Sequence, residues 1–471
     1  MQLFYTVQSG DTLISISRRW EIPLNSLTAS NNLTPPYTIY PGQQLSMPPG
    51  INTYSVQPGD SIFSISQKYR ISANAIINAN GIKPPYIITP NQILTIPSGV
   101  PYYVVKPGDT LFGIARRYNV TFKGQPRPDY IIQSNPGITQ NIIPGMQLYI
   151  PYPPPGGPGK IAYITSFDDV SSFFFGLYNP DTGRTNVFTS QTIDKPSFIN
   201  IFWSPDSTRI AYADNKGIIS VFNVVTESIQ KIDQTSDPIP SMDWNSSGNK
   251  LVYSTGEEIR IYDIISFKFS SIKRSGSSYP QFMPNGKELL YVREDSSGIR
   301  QIFTSTLDGS NEKQITNMES NSISNVRLSP DGRLVLYTWP GASISMIYTI
   351  ELTSGKTYDI PGWLEGKNYN PVWSPDSTRI AYSATHYSNG KYYSLIRVTG
   401  PKGEGDSTLA VSDCFSTPVT WSPDSRKIAY LSGCGDFDTP YKQMWSIDTT
   451  KPAPLNMLYN TNLYTLEWSP A

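Results

Sequence analysis

Short alternating runs such as Tyr5-Thr6-Val7 and Tyr103-Val104-Val105 open three stretches in the first third of the chain, each leading into a Gly-Asp pair. Behind each pair, apolar residues recur at i, i+3 and i+7: Leu13, Ile16 and Trp20; Ile62, Ile65 and Tyr69; Leu111, Ile114 and Tyr118. The openings have the period of a strand, and the residues behind them form one face of a helix. Asp11 or Thr12, and their equivalents, stand where an N-cap side chain accepts an orphan backbone N–H. A second short helix is expected around Leu24 and Leu27 before Asn31, Ala73 and Ile76 before Asn80, and Ile131 before Asn135. Pro-led turns and a last strand close the units at Pro41-Gly42-Gln43-Gln44-Leu45, Pro90-Asn91-Gln92-Ile93-Leu94 and Pro144-Gly145-Met146-Gln147-Leu148. The predicted order is β-α-α-β three times, with Gly-Asp pairs at 10, 59 and 108 marking the repeat.

A different pattern follows residues 152–159, Tyr-Pro-Pro-Pro-Gly-Gly-Pro-Gly, which lack the amide donors of a helix or central strand and read as a linker. Trp203-Ser204-Pro205-Asp206 recurs as Trp244-Asn245-Ser246-Ser247, Phe282-Met283-Pro284-Asn285, Leu328-Ser329-Pro330-Asp331, Trp373-Ser374-Pro375-Asp376 and Trp421-Ser422-Pro423-Asp424. Ser before Pro is pushed to extended geometry, Pro presets the turn, and Asp or Asn bonds its own backbone two residues on. Strands follow each turn, such as Arg209-Ile210-Ala211-Tyr212, then Ile219–Asn223. Recurrence at this interval, with four short strands per unit, is the signature of propeller blades. Trp468-Ser469-Pro470-Ala471 is an inner strand with nothing after it, and Lys160-Ile161-Ala162-Tyr163 a second strand with nothing before it. Joined, they make a composite blade, seven in all, and remove an exposed edge.

The first 151 residues resemble the LysM family across 5–48, 54–97 and 103–151, on the Gly-Asp-(Thr/Ser)-(Leu/Ile)-x-x-Ile opening, the Asn of the second helix and the Pro-led close. The resemblance implies binding of N-acetylglucosamine-containing glycans, peptidoglycan or chitin, in a groove between two loops. One wall would be Gly10, Asp11, Thr12 and Leu13; Gly59, Asp60, Ser61 and Ile62; and Gly108, Asp109, Thr110 and Leu111. The other would include Tyr37 and Ile39, Tyr86 and Ile88, and Ile142. The Asp side chains either touch glycan or only hold the turn, in which case loop backbone makes the contact. Asn91 stands where this close usually has Gly, and the third unit has six extra residues before its Asn135, with residues 121–127, including Lys123 and Arg127, expected to reshape its groove. Residues 160–471 resemble the TolB-type β-propeller family. The expected organisation is multidomain: α+β modules at 1–49, 50–99 and 100–151, the linker 152–159, and an all-β seven-bladed propeller at 160–471, closed by strands from both its ends.

Composition narrows the chemistry. Lys plus Arg and Asp plus Glu are both 37, so no whole-molecule charge steers the chain to nucleic acid. Pro at 41 and Tyr at 31 fit a turn-rich β protein. Two Cys and one His exclude a Cys/His zinc cluster, and no cofactor or metal is expected. No apolar run is long enough to span a bilayer, and the start Met1-Gln2-Leu3-Phe4-Tyr5 has no charged-then-apolar leader. No Gly-x-Ser-x-Gly elbow occurs, His386 reads as part of a polar hairpin loop, and the motif aspartates read as turn residues. In the hairpin around Asp424, facing residue numbers should add to about 848, and 414 and 434 do. Cys414 and Cys434 are therefore expected as cross-strand neighbours able to form a disulfide, with two free thiols as the alternative.

These readings converge on a non-enzymatic cell-envelope or spore-layer protein, bound to amino-sugar polymer through its modules and presenting a propeller to a protein or ligand. Without a leader, the spore location would require delivery from the mother cell. The alternative is a cell-wall hydrolase with catalytic carboxylates on the propeller.

Overall fold

In each leading unit the first strand pairs antiparallel with the last: Phe4–Thr6 with Gln44–Ser46, Asn52–Ser55 with Ile93–Ile96, and Tyr102–Val104 with Gln147–Tyr149. The computed structural model describes residues 4–13, 15–16, 31, 38–46, 52–62, 64–65, 76–77, 80–83, 85–96, 102–105, 107–117, 121–122, 125–133, 135, 138–149, 156–167, 172–190, 192–193, 201–235, 241–319, 323–340, 345–360, 367–388, 391–412, 414–434, 440–450 and 455–471. Trp20, Leu24, Leu27, Tyr69, Ala73, Tyr118 and Lys123 lie outside them. The stripe residues that are described bury as their period requires: Leu13 and Ile16, Ile62 and Ile65, and Leu111 and Ile114. In the third unit, helices Leu111–Arg117 and Pro128–Gln133 pack around Val105, Tyr130, Ile131 and Leu148. Its extra residues make a small hairpin, Thr121–Phe122 with Gln125–Pro126, and Arg127 is ion-paired to Asp129 while lying 4.2 Å over the Tyr130 ring.

Asn80 Nδ2 donates to Ile76 O at 2.8 Å and Asn135 Nδ2 to Ile131 O at 2.6 Å, so this recurrent Asn satisfies a carbonyl one helical turn back. Asn91 adopts φ 66°, the left-handed region that Gly42 (φ 84°) and Gly145 (φ 92°) also occupy. Asn is among the few side chains that tolerate it, so the turn survives the departure from Gly.

Beyond residue 160 the sheets are antiparallel meanders. Phe202–Trp203, Arg209–Ala213, Ile218–Asn223 and Ser228–Gln234 form one, and the pattern repeats from Met242–Trp244 to Lys268–Lys273 and from Ser278–Phe282 to Lys313–Gln314. Two further meanders, Ser324–Leu328 to Thr357–Ile360 and Lys367–Trp373 to Ser407–Ser412, touch through one parallel bridge, Ser345↔Lys367. The last sheet runs through Val419–Trp421, Lys427–Ser432 and Tyr441–Asp448 into the 14-residue strand Leu455–Trp468. The first half of that strand pairs with Tyr441–Asp448 and the second half with Ile161–Ser166. One sheet thus contains both ends of the segment.

The recurrent turn works as its chemistry predicts. Asp206 Oδ1 accepts from Ser204 Oγ and from Thr208 N, and Asp331, Asp376 and Asp424 repeat the pair of bonds. The next residue has positive φ, as Ser207, Ser377 and Ser425 in three turns and as Gly248, Gly286 and Gly332 in the others. Each form has its reason. Ser377 Oγ accepts Asp331 N and Ser425 Oγ accepts Asp376 N, both at 3.0 Å, tying neighbouring turns. A Cβ on Gly332 would meet Pro284 at 2.8 Å.

The second strand of each meander buries a tyrosine: Tyr163, Tyr212, Tyr253, Tyr291, Tyr337, Tyr382 and Tyr430. Each ring removes about 150–250 Å² from water and needs a partner for its hydroxyl. Tyr253 Oη donates to Asp233, Tyr291 Oη to Glu312 and Tyr382 Oη to Asp406. This repeated ring accounts for part of the tyrosine excess in the composition.

Two expectations are corrected. His386 belongs to strand Ile380–Ser388 and pairs with Tyr393, because the flanking tyrosines, good strand formers, carry the ladder almost to the hairpin tip. Cys414 and Cys434 are joined by a disulfide with Cα atoms 5.3 Å apart, but they are not ladder neighbours. Facing numbers in that hairpin add to 849, as in Val419↔Tyr430, where the ladder ends, and both cysteines lie beyond it.

Candidate functional site

In every module, hydrogen bonds beside the two-stranded sheet bring two loops to the same end. Val7 N donates to Gln43 O and Gly42 N to Val7 O; Val56 exchanges the same bonds with Gln92 and Asn91, and Val105 with Met146 and Gly145, all at 2.8–2.9 Å. The chain leaving Val7 and the chain arriving at Gly42 therefore run side by side. One loop holds Gly10, Asp11 and Thr12, and the other holds Ile39. The second and third modules place Gly59, Asp60 and Ser61 with Tyr86 and Ile88, and Gly108, Asp109 and Thr110 with Ile142. Tyr37 lies outside the described residues.

The individual side chains divide the work. Asp11 Oδ2 accepts from Tyr5 Oη at 2.6 Å and Gln8 N at 2.8 Å; Asp60 Oδ2 accepts from Tyr54 Oη and Gln57 N, both at 2.7 Å. These carboxylates close their own loop. Thr12 Oγ1 accepts Ser15 N while Ser15 Oγ accepts Thr12 N, a reciprocal cap that Ser61 and Ser64 repeat; Thr110 Oγ1 accepts Gly113 N. The helix cap is thus Thr or Ser, not Asp. Leu13, Ile62 and Leu111 turn into the module cores. Gly10, Gly59 and Gly108 hold φ of 83–86°, which bends the loop sharply, while the amides of Asp11 and Asp60 bond back to Gln8 and Gln57 and those of Thr12 and Ser61 to the caps. Ile39, Tyr86, Ile88 and Ile142 are half-buried on the facing loop. An N-acetyl group presents one N–H, one C=O and one methyl, and paired loop backbones beside an aliphatic side chain can meet all three.

A second constellation lies where the inner strands meet. Trp203 Nε1 donates to Glu467 O, Trp244 Nε1 to Phe202 O, Trp373 Nε1 to Arg327 O and Trp421 Nε1 to Val372 O, at 3.0–3.3 Å. The residue before each motif aromatic therefore faces the neighbouring inner strand: Phe202, Asp243, Gln281, Arg327, Val372, Thr420 and Glu467. Asp243 Oδ2 accepts Phe282 N at 2.8 Å, Gln281 Oε1 accepts Leu328 N at 2.7 Å, and Thr420 Oγ1 accepts Trp468 N at 3.0 Å. Burial pushes the Asp243 carboxyl up to about 7, against the backbone N–H bonds it accepts and the Arg327 charge. Burial likewise lifts Glu467 to about 7, opposed by Arg327. Both residues are half-buried, and removal from water disfavours the charged form of a carboxyl. Sequence reading passed over these residues, although their fixed position before each motif aromatic was a signal.

Of the other paired carboxylates, Glu258 is ion-paired to Arg260, while Asp168, Asp169, Asp436 and Asp438 lie outside the described residues. Among the described residues, no three His, Cys, Asp or Glu side chains gather to hold a metal, and no helix is long and apolar enough to cross a membrane.

Comparison with known proteins places both halves. The LysM domain family matches residues 5–48, 54–97 and 103–151, and the TolB beta propeller domain family matches 227–470. A protein TolB homolog from Chlorobium chlorochromatii is 27% identical over 147 residues, 31% of this chain and 31% of that protein, so the chain spans about a third of that relative's length. TolB from Acinetobacter baumannii superposes with a TM-score of 0.40 at 15% identity, covering 66% of this chain and 82% of that one. Oligogalacturonate lyase from Vibrio parahaemolyticus gives 0.44 at 14%, covering 58% and 88%. On the family matches, the chain belongs to the TolB beta propeller domain family and carries three LysM domains ahead of its propeller.

Proposed function

We propose that this is a non-enzymatic protein of the bacterial cell envelope or spore layers. Its LysM domains bind N-acetylglucosamine polymer, peptidoglycan or chitin, and its propeller presents a surface to a protein or small ligand. The observation that carries the reading is the pair of loops set side by side in all three modules, with a glycine-bent turn on one and a half-buried apolar side chain on the other. Single shallow sites of this kind bind weakly. Three in tandem combine through effective concentrations of order millimolar.

The propeller is read as a closed ring of seven blades. Seven buried tyrosines, one per second strand, support the count. Support for closure comes from the pairing of Leu455–Trp468 with Ile161–Ser166 and from the Trp203 bond to Glu467. Envelope residence follows from the glycan reading, and the spore layers are one such site, reached by delivery from the mother cell. A reporter fusion that stays diffuse in both sporulating and vegetative cells would count against it.

The test is sedimentation of the full chain with purified peptidoglycan and with chitin, competed by soluble N-acetylglucosamine oligomers. Retention that the oligomers reverse is expected; a chain that stays in the supernatant with both polymers sinks the proposal.

A wall-hydrolase reading has one observation behind it, the Asp243 and Glu467 carboxyls near the propeller axis. Glycoside hydrolysis needs one proton donor and one ionised partner. Here burial lifts both carboxyls together, which favours two neutral acids rather than an acid–base couple. New reducing ends from peptidoglycan, lost in Asp243→Asn, would reverse the preference.

A further inference from the structure

We propose that Tyr387, Tyr392, Phe415 and Tyr369 form a stacking platform on the propeller for the sugar rings of the same amino-sugar polymer, an inference that rests on the glycan-binding function proposed above. Strands Ile380–Ser388 and Lys391–Thr399 have 9 residues each, against 5 and 6 for their counterparts Arg209–Ala213 and Ile218–Asn223. The added length carries Tyr387 and its cross-strand partner Tyr392 to the hairpin tip, 64% and 38% exposed. Their ring centroids are 4.8 Å apart; Tyr392 lies 5.0 Å from Phe415, and Phe415 5.1 Å from Tyr369. Neighbouring rings are inclined at 55°, 76° and 56°, an interlocked cluster in which Tyr387 and Tyr392 are the exposed members and Phe415 and Tyr369 are half-buried behind them.

The cluster is held rigidly. Phe415 sits in a short connection tied by the Cys414–Cys434 disulfide, by Ser394 Oγ donating to Cys414 O at 2.7 Å and by Asn370 Nδ2 donating to Ser416 O at 2.7 Å. Ser416 N donates to Thr385 Oγ1 at 3.0 Å on a third side. Pre-ordered aromatics lose little freedom on binding. Tyrosines needed only for packing are buried in this propeller, as the seven second-strand rings show, whereas Tyr387 and Tyr392 are held toward solvent.

The chemistry fits a pyranose. A hexopyranose in a β-1,4-linked chain has an apolar C–H face and a polar hydroxyl rim, and a tyrosine ring offers the matching face with a hydroxyl at its edge. A weak stacking contact gains from tethering, because the LysM domains hold the polymer on the same molecule.

The experiment measures depletion isotherms of the full chain on insoluble chitin and peptidoglycan, comparing the wild type with the double variants Tyr387→Ala/Tyr392→Ala and Tyr387→Phe/Tyr392→Phe. The alanine pair should weaken binding roughly three- to tenfold and the phenylalanine pair much less, since stacking needs the ring. Thermal unfolding checks the fold, and Tyr387→Ser at the exposed tip serves if the alanine pair melts early. Wild-type retention with unchanged binding by these variants overturns the platform and leaves the LysM reading standing. Failure of the wild type to bind either polymer overturns both. Loss of a captured envelope protein with polymer binding intact assigns the rings to a protein partner and also overturns the proposal.

Discussion

Glu312 shows how much a single side chain holds together. Its carboxylate accepts hydrogen bonds from Tyr291 and Arg293, both on strand Glu288–Glu294, and from Arg274, just past the end of Lys268–Lys273. Partial burial alone would raise its carboxyl, but the bonds from Arg293, Tyr291 and Arg274 outweigh that and hold it down at about 2. A depressed carboxyl contributes stability above its unfolded value, about 4.3, and loses that contribution as pH falls toward 2. Asp243 and Glu467 have the opposite sign. Lifted to about 7, they contribute most below about pH 4 and lose it as pH rises through 7. On these three groups the stability of the propeller should therefore peak at about pH 4 and fall from there to about pH 7. Glu312→Gln should cost about 2–3 kcal/mol at pH 6, with the gap to wild type closing by pH 2.5. Urea denaturation across pH measures both, and a gap that stays constant with pH would refute the account. None of these roles was readable from sequence, because the partners of Glu312 stand 19–38 positions away and only the folded sheets unite them.

At the scale of elements, local pattern was enough wherever one period or one turn decided the outcome. Module stripes such as Leu13 and Ile16, the Ser-Pro-Asp turns and the strands after them lie where their spacing puts them. What the pattern could not supply was register. The Ser422 turn is closed by Ser422 N donating to Lys427 O, so facing numbers add to an odd total, and a sum centred on Asp424 is one residue off. The candidate loops were legible in place but not in detail, since Asp11 and Thr12 were equally good caps on paper and only the Tyr5 hydroxyl turns Asp11 inward. The disulfide clamps the connection that carries Phe415, between positions 20 apart in sequence. Loop-closure entropy at that length corresponds to about 3 kcal/mol. Replacing both cysteines by Ser should lower stability by up to that amount and, through a looser Phe415, weaken polymer binding; a variant equal to oxidised wild type in denaturation and in depletion assays would show the clamp to be idle.

For the whole molecule, the decisive element is the strand Leu455–Trp468, which pairs along its first half with Tyr441–Asp448 and along its second half with Ile161–Ser166 within one sheet. Its far end is also where the linker is fixed. Trp468 Nε1 donates to Pro158 O at 2.9 Å, Lys160 N donates to Ser469 Oγ at 2.9 Å, and Gly156 N donates to Pro180 O at 2.9 Å. Gly159 is needed there, because a Cβ would come within 3.0 Å of the Trp468 indole and the Ser469 hydroxyl, at a φ of 79°. The strand Leu455–Trp468 and the end of the linker, residues 156–160, are therefore held together. Removing residues 463–471 should loosen both at once: Ile161–Ser166, rich in apolar residues, would keep Phe174–Tyr178 on one side and lose its partner on the other, and of these three bonds the linker would keep the one from Gly156 to Pro180. We expect such a chain to self-associate and to unfold without the cooperativity of the intact protein, as read by sedimentation velocity and calorimetry. A truncated protein that remains monomeric and melts in one sharp transition at the wild-type temperature would mean that the ring does not depend on joining its ends.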